Sequence, residues 1–140
     1  MINPVDAITV RYAITIRYGD TPMTHGPSGT SVMCYFDMWN TGDTAIADQV
    51  LHPDWVDHAH PEVAGPDAVK QAVAAVRAAR PDLRFTVHSI MGGDDLVAVV
   101  GSVGVPRQSS DSPGSLVWLV RLVDGLMAEM WTYQQNQPAR

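Results

Sequence analysis

The stretch SLVWLVRLVDGLMAEMWTY, residues 115–133, decides the fold. Asp124-Gly125 in its middle is a two-residue turn signal, because a type I′ turn needs positive φ at both central positions. On either side run β-branched, aromatic and long apolar residues, so residues 115–123 and 126–133 read as two antiparallel strands. With a two-residue loop, Leu126 pairs with Val123, which sets Glu129 opposite Val120 and Trp131 opposite Trp118. Trp118, Val120, Leu122, Met127, Glu129 and Trp131 then share one face. A bulge would shift that register and turn Glu129 to solvent.

Upstream, residues 83–91 and 96–105 read as another pair of strands around Gly92-Gly93-Asp94-Asp95, and a polar loop, 107–114, leads into the hairpin. Helical spacing comes earlier. Val32, Phe36 and Trp39 stripe a helix through about Asn40, capped by Ser28, Thr30 or Ser31. Thr41-Gly42-Asp43 breaks it, and Asp43 caps a short second helix through about Val50. Pro53 and Asp54 end that one, leaving residues 55–58 as a short strand. Gly65-Pro66-Asp67 opens a third helix, with Val69, Ala72, Val73 and Val76 at helical spacing and Pro81 as its stop. At the start of the chain, Ile8, Val10, Tyr12, Ile14, Ile16 and Tyr18 alternate as in a half-buried strand whose apolar face needs a partner in this chain or a second subunit. Helices first and an antiparallel meander afterwards give the α+β class. We expect one domain over residues 1–140, with 1–27 as an extra N-terminal strand and loop and 28–135 as the core.

Composition narrows the function. Hydrophobic residues at 46% and charged residues at 17% describe a folded core rather than a disordered chain. A net charge of −6, with nine Lys and Arg scattered along the chain, builds no basic face for nucleic acid or an anionic membrane. One cysteine, Cys34, leaves no intramolecular disulfide and no Cys-based zinc cluster, and its expected place is the apolar side of a helix. Met1-Ile2-Asn3-Pro4 opens without a basic region and apolar run, so no signal peptide and a cytoplasmic setting are expected.

Several segments, taken in order, resemble the SnoaL-like polyketide cyclase family within the nuclear-transport-factor-2-like superfamily. They are Phe36-Asp37-Met38-Trp39-Asn40-Thr41-Gly42-Asp43, Leu51-His52-Pro53-Asp54-Trp55-Val56-Asp57-His58, Gly65-Pro66, Arg80-Pro81-Asp82-Leu83, Arg121-Leu122-Val123-Asp124-Gly125 and Met127-Ala128-Glu129-Met130-Trp131. The resemblance spans about residues 31–135. It implies a cone-shaped curved sheet, mixed or antiparallel, wrapped around three helices as an α+β barrel. It also implies a deep pocket, often a homodimer, and cofactor-free acid–base chemistry on a hydrophobic, polyketide-like small molecule. Relatives include cyclases, isomerases, epoxide hydrolases, hydroxylases and plain binders, so the fold does not fix the reaction. The family's aldol cyclases use an acidic residue in the last strand, a His on its neighbour and an Asn in the short strand before the third helix. Matched through Asp124-Gly125, those positions hold Thr132, Trp118 and Asp57. Thr132 cannot act as a base near neutral pH. Either another group takes over or proton abstraction is not the reaction.

Two substitutes present themselves. Asp57-His58 lies on a strand, so only one of the pair can address the pocket. His58 can shuttle a proton, while Asp57 can orient the substrate; the plainer reading is a pair that closes the pocket rim. Glu129, if it lies among apolar side chains, has a raised pKa and can act as acid or base. Trp118, Trp131, Tyr133, Thr132, Trp55 and Trp39 are candidate substrate contacts, aromatic rings being suited to stacking a flat ligand, although Trp39 reads better as core. His52, His58, His60 and Glu62 match no metal-binding spacing, and Pro53 and Pro61 break any shared face, so no metal site is expected. His88 reads as a surface residue. The resulting expectation is a cofactor-free enzyme of secondary metabolism that cyclises or isomerises a polyketide-type intermediate. The alternatives are a non-catalytic binder or partner subunit, and a hydroxylase or epoxide-opening relative.

Overall fold

The computed structural model describes residues 26–105 and 115–134. The expected N-terminal strand, the whole 107–114 loop and the tail from residue 135 lie outside them. Three helices, α1 (Gly26–Thr41), α2 (Ile46–Val50) and α3 (Gly65–Ala79), are interleaved with β1 (Leu51–Asp57) and followed by β2 (Arg84–Gly92), β3 (Leu96–Gly104), β4 (Leu116–Val123) and β5 (Leu126–Gln134). The strands form one open sheet in the order β1-β5-β4-β3-β2. β1 runs parallel to β5 and the other pairs are antiparallel. The sheet is mixed and not closed into a barrel. α1 packs on β2 and α3 on β1, and the core lies between helices and sheet. Val32, Met38, Trp55, Val69, Val73, Val97, Val99, Val120 and Met127 are its most buried side chains.

α1 starts earlier than the capping signals suggest. Ser28 lies inside the helix, and its hydroxyl donates to the Asp94 carbonyl at 2.6 Å, tying the helix to the β2–β3 turn instead of capping its own backbone. At the other end Gly42, at φ +82°, takes the left-handed conformation that ends a helix, with its N–H bonded to the Met38 carbonyl at 2.8 Å. α2 begins at Ile46 without a side-chain cap; Asp43 contributes only its backbone carbonyl, to Ile46 N–H. β1 is longer than the expected 55–58 because Pro53 does not interrupt it. An edge strand pairs on one side only, so a missing N–H on the other side breaks no ladder bond.

Asn40, near the end of α1, clamps β2 from the side. Its Nδ2 donates to the Phe85 carbonyl at 2.8 Å and its Oδ1 accepts Phe85 N–H at 2.7 Å, as a neighbouring strand would. Asn40→Asp keeps the acceptor but sets a carboxylate oxygen against the Phe85 carbonyl. We expect a loss of about 2 kcal/mol, read from urea unfolding. A variant as stable as wild type would show that the clamp is dispensable.

The β4–β5 hairpin turns at Asp124 (φ 53°) and Gly125 (φ 81°), and Leu126 pairs with Val123 as expected. The register then slips. Leu122 pairs with Met127, but Arg121 pairs with Glu129, so Ala128 is an extra residue on β5. Trp118 therefore faces Thr132 rather than Trp131, and Val120 faces Met130 rather than Glu129. A one-residue shift moves every later side chain to the other face of the sheet. The expected face that joined Trp118 to Glu129 and Trp131 is thereby corrected.

Candidate functional site

A cavity of about 370 Å³ opens between the helices and the inner face of the sheet. α1 contributes Tyr35, Phe36 and Trp39, and β1 contributes Trp55 and Asp57. α3 supplies Val69, Ala72 and Val76, and the sheet closes the far side with Phe85, Val103, Leu116, Trp118, Met130 and Thr132. The rings pack edge-on or tilted: Phe36 and Trp118 centroids are 4.7 Å apart, Trp39 and Phe85 5.4 Å. This is an apolar cage with few polar groups.

Asp57 is the carboxylate of that cage. It is 9% exposed, and its Oδ1 accepts the Ala59 N–H at 2.9 Å, while no salt bridge reaches it among the described residues. Strand alternation explains the placement: Leu51, Trp55 and Asp57 point inward. His58 follows the last residue of β1 and turns outward, although its backbone N–H still pairs with the Met130 carbonyl at 2.9 Å. Tyr35, on α1, lines the same cavity as Asp57. Complete burial pushes this phenol well above its usual pKa; a hydrogen bond from Trp39 opposes the rise and the Asp57 charge adds to it. At neutral pH Tyr35 is therefore a neutral hydroxyl that can donate. Thr132 and His60 complete the polar lining, His60 also lying 3.7 Å from Glu62.

Four expected pocket residues stand elsewhere. Glu129, Trp131 and Tyr133 alternate with Met130 and Thr132, so the bulge that sends the latter pair inward sends the first three outward. Glu129 lies in an outer-face groove with His52, Asp54, Val56, His58 and Arg121. Its Oε2 accepts from Arg121 Nη2 at 2.8 Å and Nε at 3.1 Å, and its Oε1 lies 3.2 Å from His58 Nε2. The His58 ring stacks on Trp131, centroids 4.9 Å apart and planes within 7°. Tyr133 is exposed. The Arg121 hydrogen bonds, and after them the His58 bond, hold the Glu129 carboxyl below its usual range, with desolvation opposing. The expected rise in its pKa is corrected to a fall. Trp118, Thr132, Trp55, Trp39 and Asp57 do meet at the cavity, joined by Tyr35, which the sequence reading passed over although it lies on the same helical stripe as Val32 and Trp39.

This outer cluster gives a pH prediction. A carboxyl whose folded pKa is depressed adds stability above its unfolded value, 4.5, and that stability is lost as pH falls through the folded value. The urea midpoint of wild type should fall more steeply from about pH 6 to about pH 3 than that of Glu129→Gln. Parallel profiles would mean that the ion pair contributes nothing.

Three helices against an open five-stranded mixed sheet, with an apolar cavity lined by a carboxylate and a phenol between them, make up the α+β architecture. The chain belongs to the SnoaL-like family: the profile of the SnoaL-like domain matches residues 32–130. No curated protein matches it. Solved structures share the fold. A candidate polyketide cyclase from Bacillus cereus is 17% identical, with a TM-score of 0.64 over 77% of this chain and 74% of that one. IdmH, a candidate polyketide cyclase from Streptomyces antibioticus, is 23% identical, with a TM-score of 0.59 over 79% and 92%. A candidate ketosteroid isomerase from Kribbella flavida is 17% identical, with a TM-score of 0.64 over 83% of both chains.

Proposed function

We propose that the protein is a cofactor-free acid–base catalyst that cyclises or isomerises a hydrophobic, polyketide-type ketone in this cavity, with Asp57 as the proton acceptor. One observation carries the reading: Asp57 is a buried carboxylate at the wall of an apolar cavity, unpaired with any cation among the described residues. A carboxylate so placed can take a proton from a carbon beside a carbonyl, the electron pair moving onto the carbonyl oxygen. The Tyr35 hydroxyl, neutral and in the lining of the same cavity, can donate to the negative oxygen. Return of the proton to a different carbon completes an isomerisation; attack of the enolate carbon on a second carbonyl completes a cyclisation. Aromatic rings such as Phe36 and Trp118 would hold a flat ligand. The test is exchange of the C1 hydrogens of 2-tetralone for deuterium in D2O, followed by proton NMR. Acceleration by the protein supports the reading, and binding of the ketone without acceleration rejects it. The same proposal takes the protein as a cytoplasmic homodimer, for which a monomeric mass in sedimentation would be the contrary result.

A second reading is favoured by Thr132 and Trp118. They face each other across β4 and β5 at the cavity wall, where the family's aldol cyclases carry an acid and a His, and neither can move a proton at neutral pH. On this reading the protein binds a hydrophobic ligand without turning it over. The exchange experiment separates the two.

A further inference from the structure

Among the described residues, Trp55 Nε1 is the buried side-chain polar atom with no hydrogen-bond partner. Trp55 is 1% exposed, lines the cavity and precedes Asp57 by two residues on β1. Native interiors leave few donors in this state, because burial strips the N–H of water without replacing it. The Tyr35 ring lies beside it, centroids 5.5 Å apart, yet the Tyr35 hydroxyl does not accept from Trp55 Nε1. Among the described residues no acceptor reaches Trp55 Nε1. The cavity that it lines is the space from which one can come.

We infer that Trp55 Nε1–H holds a carbonyl oxygen of the ligand, so that the cavity selects a flat ketone over the same skeleton without oxygen. The inference rests on the reading of this cavity as the ligand site. Residues two apart on a strand share a face and lie about 6.7 Å apart along it. An oxygen bonded to Trp55 at about 2.9 Å places its carbonyl carbon, and the carbon next to that, in the gap toward Asp57. Trp55 would then decide which C–H faces the carboxylate. A hydrocarbon of the same shape would leave the indole N–H as unsatisfied as before and gain nothing at this point.

The probes are 2-tetralone and tetralin, which share a bicyclic skeleton and differ in the carbonyl, measured by titration calorimetry on the full chain. Wild type should bind the ketone about tenfold more tightly than the hydrocarbon. Trp55→Phe keeps an aromatic ring and removes the N–H; it should lower ketone affinity about tenfold and leave tetralin unchanged. A second measurement needs no variant: in the 15N-labelled protein the assigned Trp55 indole proton should move downfield with the ketone and stay in place with tetralin. Equal affinities in wild type, equal weakening of both ligands in Trp55→Phe, or a still indole proton would each overturn the inference while leaving Asp57 catalysis standing. Binding of neither probe would overturn the inference together with the cavity reading beneath it.

Discussion

Asp57→Asn should slow protein-driven exchange of the 2-tetralone C1 hydrogens by about 10²–10⁴-fold, the range for removal of a positioned general base. The change is nearly isosteric. The amide oxygen can still accept the Ala59 N–H, so the turn after β1 survives and the loss falls on proton transfer rather than on folding. Ketone affinity should change little, since the ligand's area is buried against Phe36, Trp118 and their neighbours. Glu129→Gln in the same assay should exchange at the wild-type rate, because its carboxylate is bound to Arg121 on the outer face. Exchange that survives in Asp57→Asn and vanishes in Glu129→Gln would move the chemistry to the outer groove.

Gly101→Ala should destabilise the fold by about 3 kcal/mol or more, the upper end of what overpacking a tight interior does. A Cβ at this position in β3 would meet the Thr86 backbone carbonyl oxygen far inside contact distance and Trp118 Cζ3 at 3.0 Å. The obstacle is backbone on one side and a packed indole on the other, so neither can yield cheaply. β2 bulges beside this point, where its pairing with β3 shifts between Val87 and Ser89. Urea unfolding of the variant should show a much lower midpoint or no folded baseline. Gly104→Ala, three residues on with open space around its Cβ, should stay within about 0.5 kcal/mol of wild type. Equal effects at the two positions would deny the close approach of β2 to β3.

Much of the architecture was legible from local chemistry. Asp124-Gly125, Gly65-Pro66 and Pro81 each impose backbone geometry that the residue itself dictates, and they punctuate the chain where the elements turn. The bulge at Ala128 was not legible, because its cause lies across the sheet. Without it Glu129 would be opposite Val120 on the core face; with it the carboxylate meets Arg121 outside and Met130 fills the interior. A buried unpaired charge is costly enough to favour the bulged register. The charge match of Arg121 with Glu129, and two methionines three residues apart on one strand, were the signals for it. The same slip carried Trp131 and Tyr133 out of the site and left Thr132 inside. Tyr35 shows a different limit. Periodicity marks it as inward-facing, but only the packing of Trp39 and Trp55 around its ring places it at the cavity.

A crystal structure with 2-tetralone bound should show the ketone among Phe36, Trp55 and Trp118, with the carbon beside its carbonyl about 3–3.5 Å from an Asp57 carboxylate oxygen. A ketone lying in the outer groove beside Arg121 and Glu129, with the inner cavity closed over by its own side chains, would contradict Asp57 catalysis in that cavity.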